Sequence, residues 1–493
     1  MHSSGFSTRL AGLIGQASGR VVKNGRRVLV SLSERVPLRD PLTALEACYQ
    51  TLSSEMQLAD HVAAGMAYWA RPSQSFAIAA LGAAAVLSPS GPERFAAVDE
   101  EWRWLLSNAL IESDSTEAPG VGPILIGGFS FDPDGPRTER WEGFPSAHMI
   151  VPQMHLTTID GNSWLTVSSI VSGNNVPDRD LELLAKTREI ILKPQPTGSS
   201  NEGALVQISS DLPEADWRTM VGDAVAEIRS SDLKKVVLAR SIRGVTSEPA
   251  NPFAVLRQLS DVHRDALIFG YWRGDRVFVG ASPERLAQLE DGSVSASSLA
   301  GTVKRGTTQQ EDLSLARELQ SSAKDLAEHA AVRDMLHEIL SEVAENVTSP
   351  DVPEIVTLSN VHHLHTEVRG DLCDNHSLLD VVSRLHPTPA VGGTPRDAAL
   401  EFINENEQLD RGWYAAPIGW IDRSGGEFAV ALRCGVMAAS EFALYAGCGI
   451  VADSDPDQEL AESTLKLEPM RAAISASFEG VESEMAMAAE KVE

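Results

Sequence analysis

The sequence predicts an α+β fold built on antiparallel sheets. Two observations carry that expectation. Short β-type runs follow one another in hairpin-like succession, and a few long helical patterns stand among them. The clearest hairpin joins 149–158 to 164–170 across Asp160-Gly161, a two-residue turn signal. The clearest helices cover 212–230, 310–346 and 456–478.

Taken in order, residues 1–33 hold Arg9, Arg20, Lys23, Arg26 and Arg27 with no acidic residue, and are rich in Ser and Gly. They read as a frayed start leading into a strand at 27–32. The alternative is an organelle transit peptide. Strands are expected at 76–82, where small residues dominate, and at 124–131, where glycines interrupt an apolar run. Residues 194–204 read as a linker. Beyond it come strands at 236–239, 266–272, 276–280, 428–434 and 442–446. Asp455-Pro456 supplies an N-cap and a first-turn proline for the closing helix. The expected divisions are a basic segment at 1–33, an N-terminal part at 34–200, a catalytic region at 205–478 and an acidic tail at 479–493. Length alone, at about 150 residues per domain, would give about three domains.

Composition excludes several functions. The 493 residues carry 41 Lys+Arg against 69 Asp+Glu, a formal charge of −28. Such a chain repels nucleic acid and anionic membranes, which need a positive field. No apolar run approaches the ~20 residues that span a bilayer. Cys48, Cys373, Cys434 and Cys448 are too scattered for a disulfide framework or a zinc cluster. A reducing cytosol is the expected compartment.

Two helical patterns carry acids on a face that is otherwise apolar. Asp325, Glu328, Val332, Met335 and Ile339 share one face of the 310–346 helix by their 3–4 spacing. A buried carboxylate there needs a partner or a metal; Glu328 could equally end the stripe in a salt bridge. Glu459, Glu462, Lys466 and Met470 repeat the pattern in the closing helix. Glu462 and Lys466 alone could be a surface i,i+4 pair. Together the two helices could offer carboxylate oxygens to magnesium. No His/Cys spacing supports zinc.

The motifs occur in a fixed order: Lys235-Val-Val-Leu-Ala-Arg240, Ala281-Ser-Pro-Glu284, Leu299-Ala-Gly-Thr302 and Lys324-Asp-Leu-Ala-Glu-His329. Then follow Val361-His-His-Leu364, His386-Pro-Thr-Pro-Ala-Val-Gly-Gly393, Ala446-Gly-Cys-Gly-Ile-Val451 and the stretch from Ser454 to Lys466. This series resembles the chorismate-utilising enzymes, which include isochorismate synthases, salicylate synthases, anthranilate synthase component I and aminodeoxychorismate synthase. The resemblance is strong over about 205–478 and weak before that. It implies one large unit with two antiparallel sheets packed together, helices outside, and a buried site binding magnesium and chorismate, a dianion. It implies Glu328 and Glu462 as metal ligands, with Glu459 and Asp325 nearby. It implies Arg433, on a strand, and Tyr414 as holders of the enolpyruvyl carboxylate, an interaction that suits a planar guanidinium. Lys466 would offset charge beside the metal. Gly447 and Gly449 would let backbone N–H groups approach an anion. Ala300, Gly301, Thr302 and His363 would line the substrate, while His362 and His365 would be solvated or structural.

Two positions select within the family. Members that use ammonia have Gln where this chain has Lys235; members that add water have Lys. Aminodeoxychorismate synthase has a lysine nucleophile where this chain has Ala300. The resemblance thus implies an isochorismate synthase, an isomerase. Lys235 would activate water for attack at C2, and Glu284 would donate a proton to the departing C4 hydroxyl. A lysine base must be neutral, which burial or nearby positive charge favours. The alternative is a salicylate synthase, which then eliminates pyruvate. A non-catalytic relative would have lost these residues, and all are present. A monomer is the default. Leu110-Ile-Glu-Ser113 resembles an effector-binding element of anthranilate synthases but stands in the wrong place, so it reads as a helix end.

Overall fold

The computed structural model describes residues 3–53, 65–114, 118–172, 178–194, 201–357 and 361–479. Strand Ala147–Ile159 organises the fold, because its 13 residues serve two sheets at once. One edge pairs with Phe76–Leu87 along its length. The other edge divides: 147–150 pair with Leu125–Phe129, and 154–159 pair with Asn162–Val171.

The first sheet runs from Asn162–Val171 to Val28–Val36 and Leu110–Ser113 on one side. On the other it continues from Phe76–Leu87 through Met66–Arg71, Leu267–Arg273, Arg276–Ser282, Cys434–Ala438, Glu441–Ile450 and Lys235–Thr246 to Leu205–Ser210. The second sheet runs from Leu125–Phe129 through Pro417–Ile421, Gly426–Val430, Arg285–Glu290 and Ser293–Lys304 to Val361–Leu372. Ala344–Thr348 and Glu354–Thr357 finish it. Pairing in both sheets is antiparallel, except that Val28–Val36 runs parallel to Leu110–Ser113.

Successive strand residues point to opposite faces. In Met66–Arg71, Ala67 and Trp69 enter the layer between the sheets, while Met66, Tyr68 and Ala70 face outward under helices. Trp69, Phe269, Tyr271 and Phe278 from the first sheet meet Ile126, Phe129, Trp420 and Phe428 from the second. Helices Pro41–Ser53, Pro252–Val262 and Pro456–Ala476 cover the outer face of the first sheet. Residues 34–200 and 205–478 are interleaved by these ladders: Met66–Arg71 pairs with Leu267–Arg273, and Leu125–Phe129 with Pro417–Ile421. Among the described residues no helix is long and apolar enough to cross a membrane.

Local chemistry set several elements as expected. Asp160 and Gly161 both take positive φ in the two-residue turn. The Asp455 side chain accepts from the N–H groups of Asp457 and Gln458 at the start of Pro456–Ala476. Residues 195–200 of the expected linker and 480–493 of the expected tail lie outside the described residues.

Four expectations change. Ser3–Asn24 is a docked helix rather than a frayed start: Phe6, Leu10, Leu13, Ile14, Ala17 and Val21 recur at helical spacing and are buried in the outer core. The basic, glycine-rich composition hides that period. The helix expected over 310–346 is two, Gln309–Ser321 and Ala323–Ser341, followed by strand Ala344–Thr348. Ser322 breaks it, extended at φ −70 and ψ 109, with its hydroxyl capping Asp325 N–H. On the second helix Leu336 and Leu340 reach the core, while Val332, Met335 and Ile339 are half-buried. Leu110–Ser113 is a strand, not a helix end. The strand expected over 428–434 is interrupted, with consequences for the site described next.

Leu10→Ala should cost about 2–5 kcal/mol, the usual loss for a buried leucine, and lower the melting temperature in calorimetry. An unchanged melting curve would show that the N-terminal helix does not share the core.

Candidate active site where the chain crosses between sheets

Arg276–Ser282 belongs to the first sheet and Arg285–Glu290 to the second, so Pro283-Glu284 carries the chain across. Beside it the chain returns. Gly426–Val430 lies in the second sheet and Cys434–Ala438 in the first, with Ala431-Leu432-Arg433 between them. The crossings are bonded to each other. Val430 N–H donates to Glu284 O at 3.1 Å, and Ala281 N–H donates to Arg433 O at 3.1 Å. Ser282 Oγ donates to Val430 O at 2.5 Å and accepts from Glu284 N–H at 3.2 Å. Arg433 takes φ +47, an uncommon conformation for a side-chain-bearing residue. It therefore sits at a strand break rather than on a strand. The apolar run around it offers no turn residue to signal this. Glu284 and Arg433 face the same space because both are crossing residues.

The first sheet supplies one wall. Lys235 opens strand Lys235–Thr246, beside Glu441–Ile450. A Cβ at Gly449 would lie 2.6 Å from Lys235 Cε, and one at Gly447 would lie 2.9 Å from the Tyr414 hydroxyl. The two glycines thus leave room for those side chains, a steric role that the sequence alone did not suggest. Tyr414 is buried and stacks on Tyr445 with centroids 5.4 Å apart. Helix Pro456–Ala476 closes this side. Lys466 Nζ lies 2.6 Å from Glu462 Oε1 and donates to Gly447 O at 2.9 Å, so the pair is tied to the sheet. Glu459 Oε1 accepts from Ser454 Oγ at 2.8 Å. Ligand atoms of Cys448, Glu459 and Glu462 lie within 4.8 Å of one another. Arg240, which sequence reasoning passed over, anchors the helix: its guanidinium donates to Ser463 Oγ and Thr464 Oγ1, both at 2.7 Å.

The second sheet supplies the facing wall. Strand Ser293–Lys304 bulges between Ala300 and Thr302, where Gly301 takes φ +78. His363 pairs with Thr302, and its ring hydrogen-bonds the Gly301 backbone. The first turn of Ala323–Ser341 touches this bulge, since a Cβ at Gly301 would lie 3.2 Å from Asp325 Cβ. The Asp325 carboxylate accepts from Ser322 Oγ and so serves the helix start. Ala300, Thr302 and Glu328 have backbone positions here, but their side chains lie outside the described set. His362 points away and is buried, bonded to Asp312 at 2.8 Å and Thr357 at 2.9 Å, a structural histidine rather than a solvated one.

The electrostatics are uneven. Burial pushes the Glu284 carboxyl up to about 7, against the pull of Lys235, Arg433 and Lys466. Burial lowers His363 to about 4, and Arg433 and Lys466 push the same way, so its ring is neutral at physiological pH. Burial also lowers Arg433, while Tyr414, Glu462 and Glu284 oppose that shift. Burial and neighbouring Glu462 raise Glu459, although Ser454 and Lys466 oppose this. Burial pushes the Cys448 thiol up to about 12, which keeps it protonated. Three basic side chains, Lys235, Arg433 and Lys466, thus surround one carboxyl raised to about 7, as a site for an anion would require. A separate cavity of about 790 Å³, near Arg140, Asp211 and Arg243, shares none of these residues.

The family model described as "Chorismate binding enzyme" matches residues 16–475. Isochorismate synthase MenF of Bacillus subtilis is 36% identical over 453 residues, covering 91% of this chain and 93% of that protein. The salicylate biosynthesis isochorismate synthase of Pseudomonas aeruginosa is 36% identical over 473 residues, covering 95% and 94%. The solved structure of MenF, the menaquinone-specific isochorismate synthase from Escherichia coli, shares the fold with a TM-score of 0.74 at 22% identity, over 94% of this chain and 99% of that one.

Gly449→Ala should fold with little change in melting temperature, because the atom it meets is the flexible end of Lys235. A crystal structure of the variant should show the Lys235 ammonium displaced. An unmoved ammonium would remove the steric role assigned to Gly449.

Proposed function

The chain belongs to the chorismate-binding enzymes, and from that premise we propose that it is an isochorismate synthase, an isomerase converting chorismate to isochorismate. The supporting observation is Glu284, a carboxyl held near neutrality by burial and acted on by Lys235. An acid and a base of different environment beside one substrate ring are what addition and loss of water require. The isochorismate synthase names of the two relatives, at 36% identity over most of both chains, support the same reaction.

In this reading Lys235 takes a proton from water as its oxygen bonds to C2 of the ring. Glu284 gives a proton to the C4 hydroxyl, whose C–O bond breaks, and water leaves. The ring double bonds shift between the two carbons, so the net change is a moved hydroxyl. Arg433 and Tyr414 hold the enolpyruvyl carboxylate. His363, neutral, donates or accepts without adding charge. The backbone at Ala300, Gly301 and Thr302 faces the ring.

The donor chemistry fits magnesium. Glu459 and Glu462 offer hard carboxylate oxygens within 4.8 Å of one another, the donor type a hard cation takes. Glu459 and Glu462, with Glu328, would hold the ion. When bound it supplies positive charge that neutralises the ring carboxylate of the substrate, with Lys466 offsetting the surplus acid.

Incubation with chorismate and Mg²⁺ should yield isochorismate on chromatography. No turnover would sink the proposal, and salicylate plus pyruvate would reassign the chain to salicylate synthase. Lys235→Ala should lower kcat by roughly 10² or more, the scale of a lost general base, while chorismate still binds in calorimetry. Wild-type rates in that variant would remove its role.

The acid also sets a pH dependence. Glu284 must be protonated, and with its pKa raised to about 7 it is so below pH 7 and loses the proton as pH rises. kcat/KM should therefore fall on the alkaline side of about pH 7. Glu284→Gln should be much slower and lack that limb; an alkaline limb surviving in the variant would assign it to another group.

A further inference from the structure

Strand Lys235–Thr246 is bonded along one whole edge by Glu441–Ile450, but its other edge has a gap. Near its start it pairs with the two-residue strand Gly393–Thr394, and from Ile242 onward with Leu205–Ser210. Val237 N–H still reaches Gly392 O at 2.9 Å, and Asp211 N–H reaches Ser241 O at 3.0 Å. Between them lie Val237 C=O, Ala239 N–H and C=O, and Ser241 N–H, facing no strand among the described residues.

A side-chain ion pair fills the part of the gap next to the 391–394 loop. Arg411 Nη2 donates to Val237 O at 2.7 Å, and Ala239 N–H donates to Glu407 Oε2 at 2.8 Å. Arg411 and Glu407 are bonded twice, at 2.6 and 2.7 Å, and each side chain is only 2% exposed. Arg411 also donates to Val391 O at 2.8 Å, gripping the loop that leads into Gly393–Thr394, and its guanidinium lies 4.4 Å from the Phe131 ring centroid. Arg411 O accepts from Tyr414 N–H at 2.9 Å.

We propose that the Glu407–Arg411 pair is a positioning element for the reaction, fixing the start of the Lys235 strand against the 391–394 loop. It rests on the reading of Lys235 as the base. Burying an ion pair seldom adds stability over an apolar replacement. Its value here is directional, since five fixed donors can join a carboxylate and two backbone carbonyls on different segments at once.

The test uses two variants of the full chain. The double variant Glu407→Leu with Arg411→Met keeps the packing and leaves no buried charge unpaired; Arg411→Lys keeps the charge but cannot reach both carbonyls. Wild-type turnover of chorismate is measured first, and its absence overturns the functional reading, and this inference with it. Given turnover, each variant should melt in one cooperative step, at a lower temperature because buried backbone groups lose a partner, and bind chorismate as wild type does. The kcat should fall by roughly 10²-fold in the double variant, the cost of misplacing a reacting group by about 1 Å. In a Lys235→Ala background Arg411→Lys should reduce the residual rate no further, because its effect runs through Lys235. A folded variant with wild-type kcat overturns the inference alone. So does a loss shared equally between kcat and chorismate binding, or a further loss without Lys235. If the double variant does not fold, Arg411→Lys and its Lys235→Ala combination decide by the same outcomes.

Discussion

Two backbone hydrogen bonds bind the paired crossings: Val430 N–H to Glu284 O, and Ala281 N–H to Arg433 O. Each crossing alone would be an irregular loop with unmet polar groups, costly at this depth. Side by side they meet each other's needs and hold their residues against both sheets. Pro283 lacks an N–H and suits a place where the ladder must stop. Ser282 bridges both crossings through one hydroxyl. The site inherits its geometry from this arrangement: the first sheet brings Lys235, Gly447 and Gly449, the second brings Gly301 and His363, and the crossings set Glu284 and Arg433 between them.

The charge of the chain acquires a local meaning from the same arrangement. A net −28 is hostile to small anions at long range, but fields near a buried group depend on close neighbours more than on the total. Around Glu284 those neighbours are Lys235, Arg433 and Lys466. Lys466 is held in place by Glu462 and by a carbonyl of the strand beside Lys235, so part of the acid content serves to orient a cation.

What could be read in the sequence was what local chemistry decides. The Asp160-Gly161 turn and the Asp455-Pro456 helix start depend on residues within a few positions of each other, and both were legible. The motif ladder singled out Lys235, Glu284 and Lys466, the resemblance added Arg433, and the structure brings these four together. The bend at Arg433 was not legible, because an apolar run suits a continuous strand as well as one that changes sheets; long-range pairing decides between them. The N-terminal helix was hidden by composition, since glycines at 5, 12, 15 and 19 weaken the helical signal while the buried stripe supplies the stability. Glu407 and Arg411 were invisible for a similar reason: nothing local marks an ion pair that takes the place of a missing strand.

The Arg240 bonds to Ser463 and Thr464 span 223 and 224 residues of chain. The edge of strand Lys235–Thr246 that meets Glu441–Ile450 likewise waits for its partner. On the ribosome the Lys235 strand emerges long before the helix bearing Glu459, Glu462 and Lys466. During that interval its backbone is an open edge, the kind of surface that recruits other strands. The site therefore cannot be completed until the chain has been made as far as residue 466. A chain that stops short of residue 466 lacks a wall of its own active centre, however well its earlier sheets have formed.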